Sequence, residues 1–139
     1  MIQRKQTLWL LLVVVATLLT LKYPAYTGNI VSKTNIKEFQ KLNAQFNLLL
    51  LLSTNTIAVV SLITIFLYKN RNKQILFSFI SLFLSIITCC LYYWQSQKFV
   101  DGDYSLTAIF ILSVPIFLLL SIIGIYRDKR LIKSLDRLR

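Results

Sequence analysis

Phe46–Tyr68 reads FNLLLLLSTNTIAVVSLITIFLY, without a single Asp, Glu, Lys or Arg. Coiled as a helix at 1.5 Å per residue, such a run is about 35 Å long, enough to cross a hydrocarbon layer of about 30 Å. A helix is the form it must take there, because peptide groups in lipid have no water to bond. Three more runs flank it: Thr7–Tyr23, Gln74–Trp94 and Tyr104–Tyr126. Lys22, at the edge of the first run, is their one charged residue. The first run is the shortest and needs local thinning of the bilayer or snorkelling flanks. Alternating segments of about ten residues, the mark of a membrane β-barrel, are absent.

Composition agrees. Of 139 residues, 56% are hydrophobic and 15% charged, and mean hydropathy is +0.65. Soluble chains average about 25% charged. The expected fold is all-α: one domain over 1–139, an integral membrane bundle of four transmembrane helices at about 7–23, 46–68, 74–94 and 104–126. Trp9, Tyr23, Tyr26, Tyr68, Tyr92, Tyr93, Trp94, Tyr104 and Tyr126 lie near the run boundaries. Amphipathic rings favour headgroup depth. The first run is read as a retained helix rather than a signal peptide, since Lys22-Tyr23-Pro24-Ala25 lacks a small-x-small cleavage site.

Net charge is +11, with no His. In a soluble chain that excess suggests nucleic acid; in a membrane chain it reports topology. With both termini cytoplasmic, eleven of the sixteen Lys and Arg fall inside, which is the expected orientation. The segment 24–45 is then the sizeable external loop. Its YPAYTGN stretch reads as a turn. Its NIKEFQKLNAQF stretch reads as a helix, capped by Asn35 with Glu38 three residues on, and with Ile36, Phe39, Leu42 and Phe46 at helical spacing. The second helix is therefore expected to begin near Ile36.

In lipid, small residues and interhelical hydrogen bonds hold helices together. On the third helix Gln74, Ser78, Ser81, Ser85, Thr88, Cys89 and Tyr92 share an arc of roughly 100°. The second carries Asn47, Ser53, Thr54, Ala58, Ser61 and Thr64. The short KNRNK loop forces these helices into an antiparallel hairpin, so the two faces are expected to meet. They can pack or line a path. Asn55 lies off the main patch, near mid-helix, and an amide bare in hydrocarbon costs several kcal/mol. It is expected to make a buried interhelical contact. Pro115 removes one backbone bond from the fourth helix, near Ser113. The adjacent Cys89 and Cys90 read as small apolar fillers.

The chain RDKRLIKSLDRLR, Arg127–Arg139, follows the fourth run without Pro or Gly. Leu131, Leu135 and Leu138 recur at helical spacing. The last helix is expected to continue as a basic amphipathic tail, with Arg127, Lys129, Arg130, Lys133, Arg137 and Arg139 meeting anionic headgroups at the cytoplasmic face or a membrane protein partner. Nucleic acid is disfavoured, because no aromatic residue for stacking lies beyond Tyr126. No catalytic constellation is evident: there is no His, no Gly-rich phosphate loop, no nucleophile elbow and no carboxylate within a span. No enzyme activity, metal site or cofactor is expected.

The two ends carry a resemblance. MIQRKQTLWLLL, Met1–Leu12, and RDKRLIKSLDRLR, Arg127–Arg139, resemble the termini of a family of small four-helix membrane proteins from Bacteroidota, domain of unknown function 4293. Met1 to Arg4, Gln6 and Thr7 match its opening; Ser134, Asp136, Arg137, Leu138 and Arg139 match its close. Where that family has acids before the final Ser, this chain has Arg130 and Lys133 around Asp128. The resemblance implies a Gram-negative inner membrane and four helices, and it implies no activity. Arg4 and Gln6 are expected to contact Asp136 or Ser134 and close the bundle. The expected role is a non-enzymatic scaffold, assembly factor or accessory subunit. The alternative is a small oligomeric transporter or channel using the Ser/Thr faces of helices two and three.

Overall fold

Apolar helices and short strands make up the computed structural model, which describes residues 5–31, 37–68 and 70–136. In chain order they are α1 (Lys5–Lys22), β1 (Tyr26–Val31), β2 (Lys37–Leu42), α2 (Leu48–Phe66), α3 (Arg71–Ser96), β3 (Asp101–Tyr104) and α4 (Ala108–Asp136). Three helices are long and apolar enough to cross a membrane: Leu48–Phe66, Arg71–Ser96 and Ala108–Arg130. The apolar helix Gln6–Lys22 is shorter.

The helices form a ring in which α1 and α3 each pack on α2 and α4. Leu10, Val13, Ala16, Ile57, Val114 and Leu118 fill the middle, and Trp9 stacks on Phe117 with ring centroids 5.9 Å apart. At one end α1 meets α4 closely: a Cβ built on Gly124 would lie 3.3 Å from the Gln6 Cβ. Pro115 stands within an unbroken α4. Its missing N–H frees the Ile111 carbonyl, four residues back, and Cys89 Sγ reaches that oxygen at 3.7 Å. Cys89 thus does more than fill space.

The all-α expectation fails at the opposite end. The three strands form one antiparallel sheet in the order β2-β1-β3. Of the stretch read as a turn, Tyr23–Asn29, the last four residues, Tyr26–Asn29, lie within β1. The stretch read as an amphipathic helix contains β2, and α2 begins at Leu48 rather than near Ile36. Asn47, assigned to the packing patch, caps α2 by accepting from the Leu49 N–H at 3.4 Å. Asn35 and Ile36 lie outside the described residues. As a strand, Lys37–Leu42 instead pairs with β1 along its whole length, Tyr26 opposite Leu42 through Val31 opposite Lys37. Gly28 stands opposite Gly102 across the β1–β3 pair. A Cβ at Gly28 would come within 2.4 Å of the Asp101 carbonyl oxygen, and one at Gly102 within 2.5 Å of that of Thr27. The close approach requires both glycines.

The sheet is tied to the helices beneath it. Ala25 N–H donates to Leu42 O (2.8 Å), Ser105 N–H to Ala25 O (3.0 Å) and Ala44 N–H to Thr20 O (3.3 Å). The Thr107 hydroxyl donates to the Pro24 carbonyl. Tyr26 packs edge-on against both Phe99 and Tyr104, at 5.2 and 4.8 Å. Leu42, Ala44, Leu50, Tyr92 and Phe99 are buried together under this cap.

Candidate functional site

A polar seam runs through the interior of the ring. Toward the sheet it consists mainly of threonines and Ser85, with Tyr92, Gln95 and Ser96 beyond them on α3. Thr17, Thr20, Thr54, Ser85 and Thr88 are buried. Each donates to a carbonyl of its own helix: Thr17 to Val14 (2.8 Å), Thr20 to Thr17 (2.7 Å), Thr54 to Leu50 (2.7 Å), Ser85 to Leu82 (2.7 Å) and Thr88 to Leu84 (2.9 Å). This back-bonding lets a hydroxyl sit in an apolar interior with no partner on another helix. The pocket these residues line, with Ile57, Tyr92, Ile111 and Val114, offers about 10 Å³, room for about one water.

Toward the other end the chemistry changes. Gln74 Nε2 donates to Thr64 O at 3.2 Å, joining α3 to α2. The hydroxyls of Ser61, Ser78, Ser81 and Ser121 are buried and find no hydrogen-bond partner among the described residues. Nor do the side-chain amide atoms of Gln6. Of the expected contact of Arg4 and Gln6 with Asp136 or Ser134, Gln6 is buried beside Gly124, while Arg4 and the side chains of Ser134 and Asp136 lie outside the described residues.

Of the packing candidates, Ser61, Ser78, Ser81, Ser85 and Thr88 all point inward on α2 and α3. Asn55 does not: it is exposed on the outer side of α2. The expected buried interhelical contact is thus not made among the described residues of this chain. The inward face of α2 is Leu50, Thr54, Ile57, Ala58, Ser61 and Thr64, and Asn55 is more than a quarter turn from it at about 100° per residue.

Of the basic candidates, Arg127, Lys129 and Arg130 are exposed on α4. Lys133 lies on the same helix, its side chain outside the described residues; Arg137 and Arg139 lie outside them altogether. Asp128 turns the other way and pairs with Arg71 of α3 at 3.1 Å, an ion pair that periodicity did not reveal. Among the described residues no three His, Cys, Asp or Glu cluster as metal ligands would.

A second feature opens sideways between the sheet and the ends of α3 and α4. It is a cleft of about 230 Å³ walled by Leu42, Cys89, Tyr92, Tyr93, Tyr104, Ile111 and Leu112, among others. Three hydroxyls that line it are already engaged: Tyr26 Oη donates to Gly102 O (2.8 Å), and Ser96 Oγ shares a hydrogen bond with Tyr104 Oη (3.3 Å). Such walls suit a hydrocarbon chain or an apolar side chain, not an ion.

The family described as Domain of unknown function (DUF4293) has a model that matches residues 2–138. The chain belongs to this family. No curated protein and no solved structure matches it. The DUF4293 match spans all four helices and all three strands, so the sheet cap and the polar seam both fall within the family's domain.

Proposed function

We propose that this DUF4293 protein is a non-enzymatic scaffold, assembly factor or accessory subunit, embedded in a bacterial inner membrane by all four helices with both termini in the cytoplasm. Helices α2 to α4 have the length and hydropathy for it. The shorter α1 spans about 26 Å, and Lys22 at its end can snorkel, with Nζ over the Tyr23 ring at 5.8 Å. In this orientation the sheet faces outward. The exposed Arg127, Lys129 and Arg130 lie at the cytoplasmic leaflet, where each well-placed cation contributes about 1 kcal/mol toward anionic headgroups.

The observation that carries the reading is the narrowness of the polar seam. Between its threonines, Ser85 and Tyr92 the space open to a water-sized molecule is about 10 Å³, so the surfaces better suited to meet other molecules are the sheet, the lateral cleft and the basic end of α4. Purification of the full chain in mild detergent, followed by mass spectrometry, tests it. A membrane protein recovered in stoichiometric amount is the expected result; recovery of the chain alone counts against it.

The orphan hydroxyls of Ser61, Ser78, Ser81 and Ser121 favour one second reading, the small oligomeric transporter or channel. In it these serines mark a hydrated path in another state of the bundle. Solute flux through proteoliposomes that is lost in Ser78→Ala would establish it over the first.

A further inference from the structure

We propose that α2 is a dimerisation helix that pairs in parallel with α2 of a second copy, through a seam centred on Asn55. The inference rests on the membrane reading above and adds the partner of one surface. Leu48, Leu52, Asn55, Val59, Leu62 and Phe66 follow one another at intervals of four, three, four, three and four residues. That is the 3.5-residue repeat by which one helix seats its side chains between those of another. All six are exposed. At about 100° per residue the seam is centred roughly 150° from the inward face of α2, so it points away from the bundle.

The amide decides what covers the seam. Thr56 also faces outward, but its hydroxyl donates to Leu52 O at 2.7 Å and needs nothing more. Asn55 makes no hydrogen bond to any described residue, and the amide has donors and an acceptor that its own helix leaves unmet. About 10 Å from the Leu48 end of α2, it stands in the hydrocarbon layer, where neither water nor an acyl chain can serve it. Every copy of the chain inserts the same way round, so two α2 helices meeting along this seam are necessarily parallel. Parallel, in-register pairing about a two-fold axis sets Asn55 against Asn55, each donating to the other's oxygen. A single polar residue in an otherwise apolar heptad seam fixes register and partner number in the same manner.

The test uses the full chain with Cys89→Ser and Cys90→Ser, reconstituted in vesicles. Val59→Cys places a thiol in the seam, and Phe83→Cys places one on the exposed face of α3. Mild oxidation is expected to link Val59→Cys into dimers and to leave Phe83→Cys monomeric. Asn55→Leu is expected to weaken dimerisation about 3- to 30-fold, measured by energy transfer between labelled copies across a range of lipid dilution. The monomer should keep its fold, since Asn55 touches nothing inside it. Equal linking at both positions, no linking at either, or an Asn55→Leu affinity equal to the parent's overturns the proposal. Extraction by alkaline carbonate is read in parallel: protein that is released has failed the membrane reading, whereas protein that is retained but monomeric has failed this one alone.

Discussion

The two ends of the bundle are closed by different means. At the sheet end the chain twice leaves the helical form, between α1 and α2 and again between α3 and α4, and the freed peptide groups bond to one another across three strands. At the tail end α2 turns into α3 within a few residues, and beside the approach of α1 to Gly124 closure depends on side chains: Gln74 on Thr64 O and Arg71 on Asp128. The difference teaches where tolerance lies. Backbone closure depends on shape and fails when atoms are added; side-chain closure fails piecemeal, by about the worth of each contact.

The largest expected effect is therefore at the sheet end. Gly102→Val sets a Cβ within 2.5 Å of the Thr27 carbonyl oxygen and 2.8 Å of the Gly28 Cα. Both obstacles are backbone, so the strands must part. A loss of about 3 kcal/mol is expected, read as a lower denaturant midpoint of the purified protein in detergent. A midpoint equal to the parent's would mean that the sheet contributes little and that the contrast between the ends is false.

The same contrast explains what the sequence made legible. The four helices follow from uncharged apolar runs, and the inward direction of Ser61, Ser78, Ser81, Ser85 and Thr88 follows from their period. The sheet pairs Tyr26–Asn29 with Asp101–Tyr104, more than seventy residues on, and neither strand alternates clearly enough to be read alone. Ile36, Phe39, Leu42 and Phe46 fall at helical spacing by accident of a strand and a turn; in the fold Leu42 is buried while Phe39 is 64% exposed. Asn55 is a different case. Its period already placed it off the inward patch, and the expectation of burial came from an energy argument that required a partner without saying which helix supplies it. The partner of Cys89 was hidden for a related reason: Pro115 identifies the freed carbonyl, but no local pattern brings another helix to it.

Next in size is the interior at the tail end. Ser78→Leu adds volume to a position with no exposed surface and is expected to cost about 1–3 kcal/mol. Ser78→Ala removes a hydroxyl that has no partner among the described residues and should be neutral or slightly stabilising in the same unfolding measurement. A clear loss on Ser78→Ala would show that the hydroxyl is engaged, and would move weight to the transport reading. Gln74→Leu follows, removing the donor to Thr64 O while keeping most of the volume. About 1 kcal/mol is expected, within the range of polar contacts between membrane helices. Its effect should exceed that of Ser78→Ala, because Gln74 joins two helices and Ser78 bonds to neither among the described residues.

The smallest effect belongs to Arg71 and Asp128. Their 3.1 Å contact joins the first turn of α3 to α4, with side chains 12% and 33% exposed. Exposure at this level puts the pair close to surface ion pairs, typically worth up to about 1 kcal/mol. A double-mutant cycle of Arg71→Ala and Asp128→Ala should give a coupling of about 0.5 kcal/mol that shrinks as salt is raised, because screening acts on a pair this near solvent. A salt-insensitive coupling several times larger would place the pair in a dry setting. The tail end would then be closed as rigidly as the sheet end, and the basic helix beyond Asp128 would be held at a fixed angle to the bundle instead of being left to meet the bilayer.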